Sequence, residues 1–168
     1  LGGGYYDDNG SVSERINEMV PSNVNLVYWD YYTEDLNLLD NMFENHKAFG
    51  KVIFAGGAWK WTGYAPCTRI SNRRCYLHAD ACLRHGCDDV IVTGWGDDGA
   101  DASHFSILPS LLIYAEKCFN PSVDEALVVQ RFQAVFGLDM KAFESMDLTD
   151  DVIGSTEKIT NTSKVLLF

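Results

Sequence analysis

Val90-Ile91-Val92-Thr93-Gly94-Trp95-Gly96-Asp97-Asp98-Gly99 is a β-branched run that stops at a tryptophan and two carboxylates set among three glycines. A short, continuously apolar run of this kind suits a strand buried on both faces, as in a parallel sheet. The glycines let the chain bend sharply where the strand gives out. A ring and two acids would then stand on the carboxyl edge of the sheet, where α/β proteins hold their ligands. Leu26-Val27-Tyr28-Trp29-Asp30-Tyr31-Tyr32 and Val52-Ile53-Phe54-Ala55-Gly56-Gly57-Ala58-Trp59-Lys60-Trp61 repeat the design.

Around these three stretches the chain alternates. A short helix is expected over 11–20, ended by Pro21, and a first strand over 23–32. Thr33 caps the helix that follows, whose apolar stripe is Leu36, Leu39, Met42, Phe43 and His46, with Gly50 as its stop. The second strand is 51–55. A polar connection over 56–74 carries Trp59, Trp61, Tyr64 and Pro66, and loops of that length inside a domain are usually functional. A helix over 75–85 turns Cys75, Ala79, Cys82 and Leu83 inward and closes at Gly86; the third strand is 88–93. Ser106 caps a helix with Pro109 in its first turn and an apolar, buried body over 111–119. Ser122-Val123-Asp124-Glu125 reads as a capping box opening a helix that runs to Phe136 and stops at Gly137. A weak helix and a partly ordered tail complete residues 138–168.

Strands alternating with helices imply parallel strands joined by crossovers. Three strands are few for 168 residues, and three alone leave two open edges. The simplest resolution is α/β architecture in which residues 1–120 form the closing three strand-helix units of an eight-stranded parallel β/α (TIM) barrel, a fold of about 250 residues when whole. Residues 121–168 then form a helical extension. The start at Leu1, running into Gly2-Gly3-Gly4, fits a piece of something longer.

Composition narrows the function. At 46% apolar and 12% aromatic the chain is that of a folded domain. A net charge of −11, with Arg69, Arg73 and Arg74 the densest basic group, argues against nucleic acid. No apolar run reaches membrane-spanning length and no signal-peptide pattern opens the chain. Five cysteines without a C-x-x-C pair read as buried thiols in a reducing, cytoplasmic setting.

Gly94-x-Gly96-x-x-Gly99 nominally fits a dinucleotide fingerprint, but Asp97 and Asp98 would repel a pyrophosphate and Trp95 would block its approach. Asp97, Asp98, Asp101 and His104 match no established metal pattern, so no metal and no cofactor is expected. His46, His78 and His85 read as structural. Trp29, Tyr31, Trp59, Trp61 and Trp95 could simply fill a core. Their position at strand ends, beside Asp30, Asp97 and Asp98, instead suits a sugar: a ring face meets the C–H face of a pyranose while acids accept from its hydroxyls.

On Tyr28-Trp29-Asp30-Tyr31-Tyr32, Phe54-Ala55-Gly56-Gly57-Ala58-Trp59-Lys60-Trp61 and Thr93-Gly94-Trp95-Gly96-Asp97-Asp98-Gly99-Ala100-Asp101, the chain resembles family 20 glycoside hydrolases, in particular bacterial exo-β-N-acetylhexosaminidases and the hexosaminidase D-like branch. The likeness covers about residues 1 to 120, with Ser106 to Glu116 similar to the last barrel helix. It implies a barrel enzyme that releases terminal N-acetylhexosamine, the substrate's own acetamido oxygen attacking the anomeric carbon. The family's acid/base Asp-Glu pair lies on its fourth strand, whereas this chain resembles strands six to eight. Asp124-Glu125 is the lone Asp-Glu dipeptide and lies in a helix cap, so no catalytic residue is expected here.

What the resemblance carries over is the sugar-binding half. Trp95-x-Asp97 matches a Trp-x-Glu whose acid holds the distal hydroxyls, with Asp97 or Asp98 making the contact. Tyr28-x-Asp30 matches a Tyr-x-Asp in which Tyr steadies the acetamide oxygen, and Tyr31 is an equal candidate. Trp29 and Trp59 wall the acetamide pocket, with Trp61 beside them. The expected partner is an N-acetylhexosamine-containing glycan, and the open edges favour association with a second copy or with the missing barrel half. A stand-alone sugar-binding or scaffold domain is the competing reading.

Overall fold

The computed structural model describes residues 18–61, 65–96 and 102–149. Three parallel strands, β1 (Val27–Trp29), β2 (Ile53–Gly57) and β3 (Asp89–Thr93), lie side by side in chain order. Among the described residues five helices accompany them: α1 (Leu36–Lys47), α2 (Thr68–Arg84), α3 (Leu108–Phe119), α4 (Glu125–Phe136) and α5 (Met140–Ser145). The chain is therefore α/β, built on three consecutive strand-helix units. No described helix is long and apolar enough to cross a membrane.

Side-chain alternation along paired strands divides the sheet into two unlike faces. Register places Tyr28, Phe54 and Val90 in one row. That row packs with Leu39 and Phe43 of α1 and with Ala81 and Cys82 of α2 in one core. A second core joins Cys75 and Ala79 of α2 to Ile113 and Tyr114 of α3 and to Val128 and Phe132 of α4, with Val90 and Val92 against it. The opposite face holds Val27, Trp29 and Ile91, all exposed, with Ala55 buried between Trp29 and Ile91. The expectation that each strand is covered on both sides holds for β2, buried from Phe54 to Gly57, and is corrected for β1 and β3: the described helices pack on the Tyr28–Phe54–Val90 face.

Helix starts follow local chemistry more closely than the sequence pattern suggested. Asp35, not Thr33, caps α1, accepting from the amides of Asn37 at 2.9 Å and Leu38 at 3.3 Å. Asp124 caps α4 through Leu127 N–H at 2.7 Å, in place of Ser122. A 3₁₀ turn over His104–Ile107, opened by Ser103, precedes α3, so Ser106 is a buried residue of that turn rather than its cap. Glycines 50, 86 and 137, the expected stops, all have positive φ.

The largest departure is α2, which begins at Thr68 and consumes the last part of the expected loop. Its own N-cap residue, Cys67, makes no side-chain cap. Asp147 caps it instead from the far end of the chain, accepting from Thr68 N–H at 2.6 Å and Arg69 N–H at 2.7 Å. A carboxylate at a helix N-terminus satisfies orphan amides and meets the positive end of the helix dipole. The helix expected over 11–20 lies outside the described residues except for its last turn, and so does the tail beyond Thr149.

Candidate functional site

All three strands release the chain on the same edge of the sheet, and the aromatic residues expected there meet around Tyr31. Trp95 Nε1 donates to the Tyr31 phenol oxygen at 2.6 Å, and Trp29 Nε1 donates to the same atom. Thr93 Oγ1 lies 2.8 Å from it and also donates to the Gly56 carbonyl at 3.2 Å. One oxygen thus ties the ends of β1 and β3 together above β2. A phenol is suited to this because it accepts indole N–H groups while its ring stays within apolar packing.

The Trp29 and Trp95 rings lie 5.6 Å apart at a tilt of 31°, and they are 54% and 40% exposed. Trp59 and Trp61 form the layer beneath. They stack at 4.6 Å and 27°, Tyr31 contacts Trp61 at 5.1 Å, and Tyr32 meets Trp59 edge-on at 5.0 Å. Trp59 Nε1 donates to the Tyr31 carbonyl at 3.1 Å, and the Arg74 guanidinium sits 4.8 Å above its ring. Gly57 makes this layer possible, since a Cβ there would lie 2.6 Å from Trp61 and 2.8 Å from Tyr31. All four tryptophans of the chain belong to one connected aromatic group.

Within that group the expected roles separate. Trp29 and Trp95 present accessible rings. Trp59 and Trp61 are buried, so they support the surface and do not offer a ring face to a ligand. Tyr28 lies on the other side of the sheet, packed against Phe43, His46 and Phe54. Its hydroxyl donates to Asp30 Oδ2 at 2.8 Å. Of the two tyrosines open to the acetamide role, Tyr31 is therefore the one at the aromatic group.

Asp30 is occupied by its own chain. Besides Tyr28, the amides of Tyr32 at 2.8 Å and Thr33 at 3.0 Å donate to Oδ1. Burial pushes its carboxyl up, but the hydrogen bonds from Thr33, Tyr32 and Tyr28 outweigh burial and hold it below the ordinary value of 3.8. It stays ionised and shapes the turn after β1; it is no proton donor near neutrality. Asp97, Asp98 and Asp101 lie outside the described residues. Among the described residues no cluster of three metal-ligating side chains occurs.

Four participants were not singled out from sequence: Tyr32, Thr93, Arg74 and Lys60. Lys60 is fully buried and donates from Nζ to the Ala102 carbonyl at 3.2 Å, joining the Trp59–Trp61 segment to the approach to α3. Its alternation between two tryptophans was the available signal, because rings on one side of an extended segment put the residue between them on the other. The expected structural histidines are so placed: His78 Nε2 pairs with the Thr33 carbonyl at 2.8 Å, and His85 lies between Asp40 and Glu44 at 2.8 and 2.9 Å.

The edge therefore holds an accessible indole pair, fixed by one phenol and backed by a buried aromatic layer, without a described general acid. No protein-family model matches the chain, and no curated protein matches it.

Proposed function

We propose that this chain is the carboxyl-terminal part of a β/α-barrel glycosidase acting on terminal β-linked N-acetylhexosamine, and that it supplies the sugar-binding wall rather than the acid/base pair. The observation that carries the reading is the Trp29–Trp95 surface: two accessible indoles at strand carboxyl ends, tied to Tyr31. Flat, accessible rings fixed in orientation are what the apolar face of a pyranose needs, and a fixed surface loses little side-chain freedom on binding.

The one-sided helical cover supports the barrel part. In a β/α barrel the helices form an outer ring and the inner face of each strand packs against the other strands. Val27, Trp29 and Ile91 occupy the face that would look inward. A doubly wound sheet would instead need helices on both faces. The substrate-assisted mechanism follows from the resemblance to family 20: the acetamido group is the nucleophile, so this half need only orient the sugar, and Tyr31 is the tyrosine proposed to steady the acetamide.

The test is an assay of the chain alone, and of any longer parent carrying an Asp-Glu pair at a strand end, against an aryl N-acetyl-β-glucosaminide. The proposal expects turnover by the parent and none by the chain. Turnover by the chain alone refutes it. A coding sequence that opens close upstream of Leu1 favours a stand-alone sugar-binding or scaffold domain instead.

A further inference from the structure

Away from the strand-end aromatics, a cavity of about 140 Å³ lies between α2, α3 and β3, and three of the chain's five cysteines, Cys82, Cys87 and Cys118, line it. Two of them are brought together by the way α2 ends. Cys87 N–H bonds the Cys82 carbonyl at 2.8 Å, and Gly86 N–H bonds the Leu83 carbonyl at 3.3 Å, with Gly86 at φ +64°. This nested pair of bonds is a Schellman motif, whose first and last side chains habitually touch. An apolar pair usually fills those two positions. Here both are cysteines.

Both side chains line the cavity, where the Cys87 thiol donates to the Val52 carbonyl at 3.3 Å and to the Asp89 carbonyl at 3.4 Å. We propose that Cys82 and Cys87 are a redox-active pair that closes to an intramolecular disulfide when a hydroperoxide enters this cavity. A small peroxide suits the space, and the motif brings the two residues together at one helix terminus. Neither residue belongs to the strand-end surface, so the proposal stands apart from the glycosidase reading.

The order of attack follows from exposure, since Cys87 is 9% accessible and Cys82 only 3%. A hydrogen bond from Cys82 lowers the Cys87 thiol below its ordinary value although burial opposes this, and the same bond and burial raise Cys82. Cys87, as thiolate, attacks one peroxide oxygen: an S–O bond forms, the O–O bond breaks, and hydroxide leaves and is protonated to water. Cys82 sulfur then displaces the remaining oxygen from Cys87. An S–S bond forms, the S–O bond breaks, and the Cys82 proton departs with that oxygen as a second water. The two thiols together lose two electrons, and the peroxide gains both.

The experiment exposes the folded chain to hydrogen peroxide, then denatures, alkylates and digests it with trypsin. Cleavage after Arg84 separates Cys82 from Cys87, so their disulfide appears as a linked peptide pair that fragmentation assigns to these two residues. The expected result is that linkage, forming at least about tenfold faster than any loss of free thiol at the buried Cys67 and Cys75. In Cys82→Ser the link disappears and a cyclic-dione probe traps Cys87 as its sulfenic acid. The proposal is overturned if the exposed Cys118 oxidises while Cys82 and Cys87 stay alkylatable, if Cys87 links to Cys118 instead, or if Cys82→Ser yields no trapped sulfenic acid at Cys87.

Discussion

Replacing Tyr31 by phenylalanine removes one oxygen and leaves the ring contacts to Trp61, Tyr32 and Trp29 in place. Three groups lose that oxygen: Trp29 Nε1, Trp95 Nε1 and Thr93 Oγ1. Thr93 keeps the Gly56 carbonyl, and both indoles are exposed enough for water to take over their N–H groups. The cost is then the net value of the lost hydrogen bonds, about 0.5–1.5 kcal/mol each, rather than the larger penalty of a buried donor left bare. For the two indole bonds the sum is about 1–3 kcal/mol of folding stability. The greater effect is on the surface, because the phenol oxygen is the polar atom that both the Trp29 and Trp95 indoles share. In acrylamide quenching the accessible tryptophan fraction should become more quenchable while the buried Trp59 and Trp61 contribution stays constant. N-acetylglucosamine should bind about tenfold more weakly, equivalent to about 1.4 kcal/mol. A variant with unchanged quenching and unchanged sugar binding would refute the idea that one phenol organises the site.

Other perturbations probe the frame around it. Asp147→Ala should destabilise the chain by about 1–2 kcal/mol with an unchanged denaturant slope, since it strips the cap from α2; equal stability would show the cap contributes nothing. Gly56→Ala would put a Cβ 2.1 Å from Tyr114 Oη and 2.9 Å from Phe54 in packed surroundings, costing about 1–3 kcal/mol, and Tyr114→Phe in the same background should recover part of it. Asp30, held below 3.8, contributes stability that is present above that value and lost as pH falls through its lowered folded value. The stability gap between wild type and Asp30→Asn should therefore close in acid; a gap constant to the lowest pH would contradict the hydrogen bonds assigned to it.

How far the sequence carried depends on how local each signal was. The three strands and their parallel order follow from β-branched runs spaced by helical patterns, and glycines 50, 86 and 137 marked helix ends because positive φ is a local demand. The start of α2 was hidden because its cap, Asp147, lies 79 residues from Thr68. The two-sided cover was misjudged for β1 and β3 because Val27 and Ile91 have the composition of buried strand residues while standing exposed. At the edge, sequence gathered the right rings but could not divide them: parity sends Tyr28 to the helix side, and whether a tryptophan is surface or support depends on what stacks on it. The backbone bond that joins Cys87 to Cys82 is local, yet the pair is spaced for a helix terminus rather than for a metal or redox motif.

Titrating N-acetylglucosamine into the chain while following tryptophan emission tests the central claim most directly. The account predicts a saturable change that Trp95→Ala abolishes and that Trp29→Ala weakens, with both variants still folded by circular dichroism. No saturable change, or one that survives the loss of both exposed rings, would contradict it.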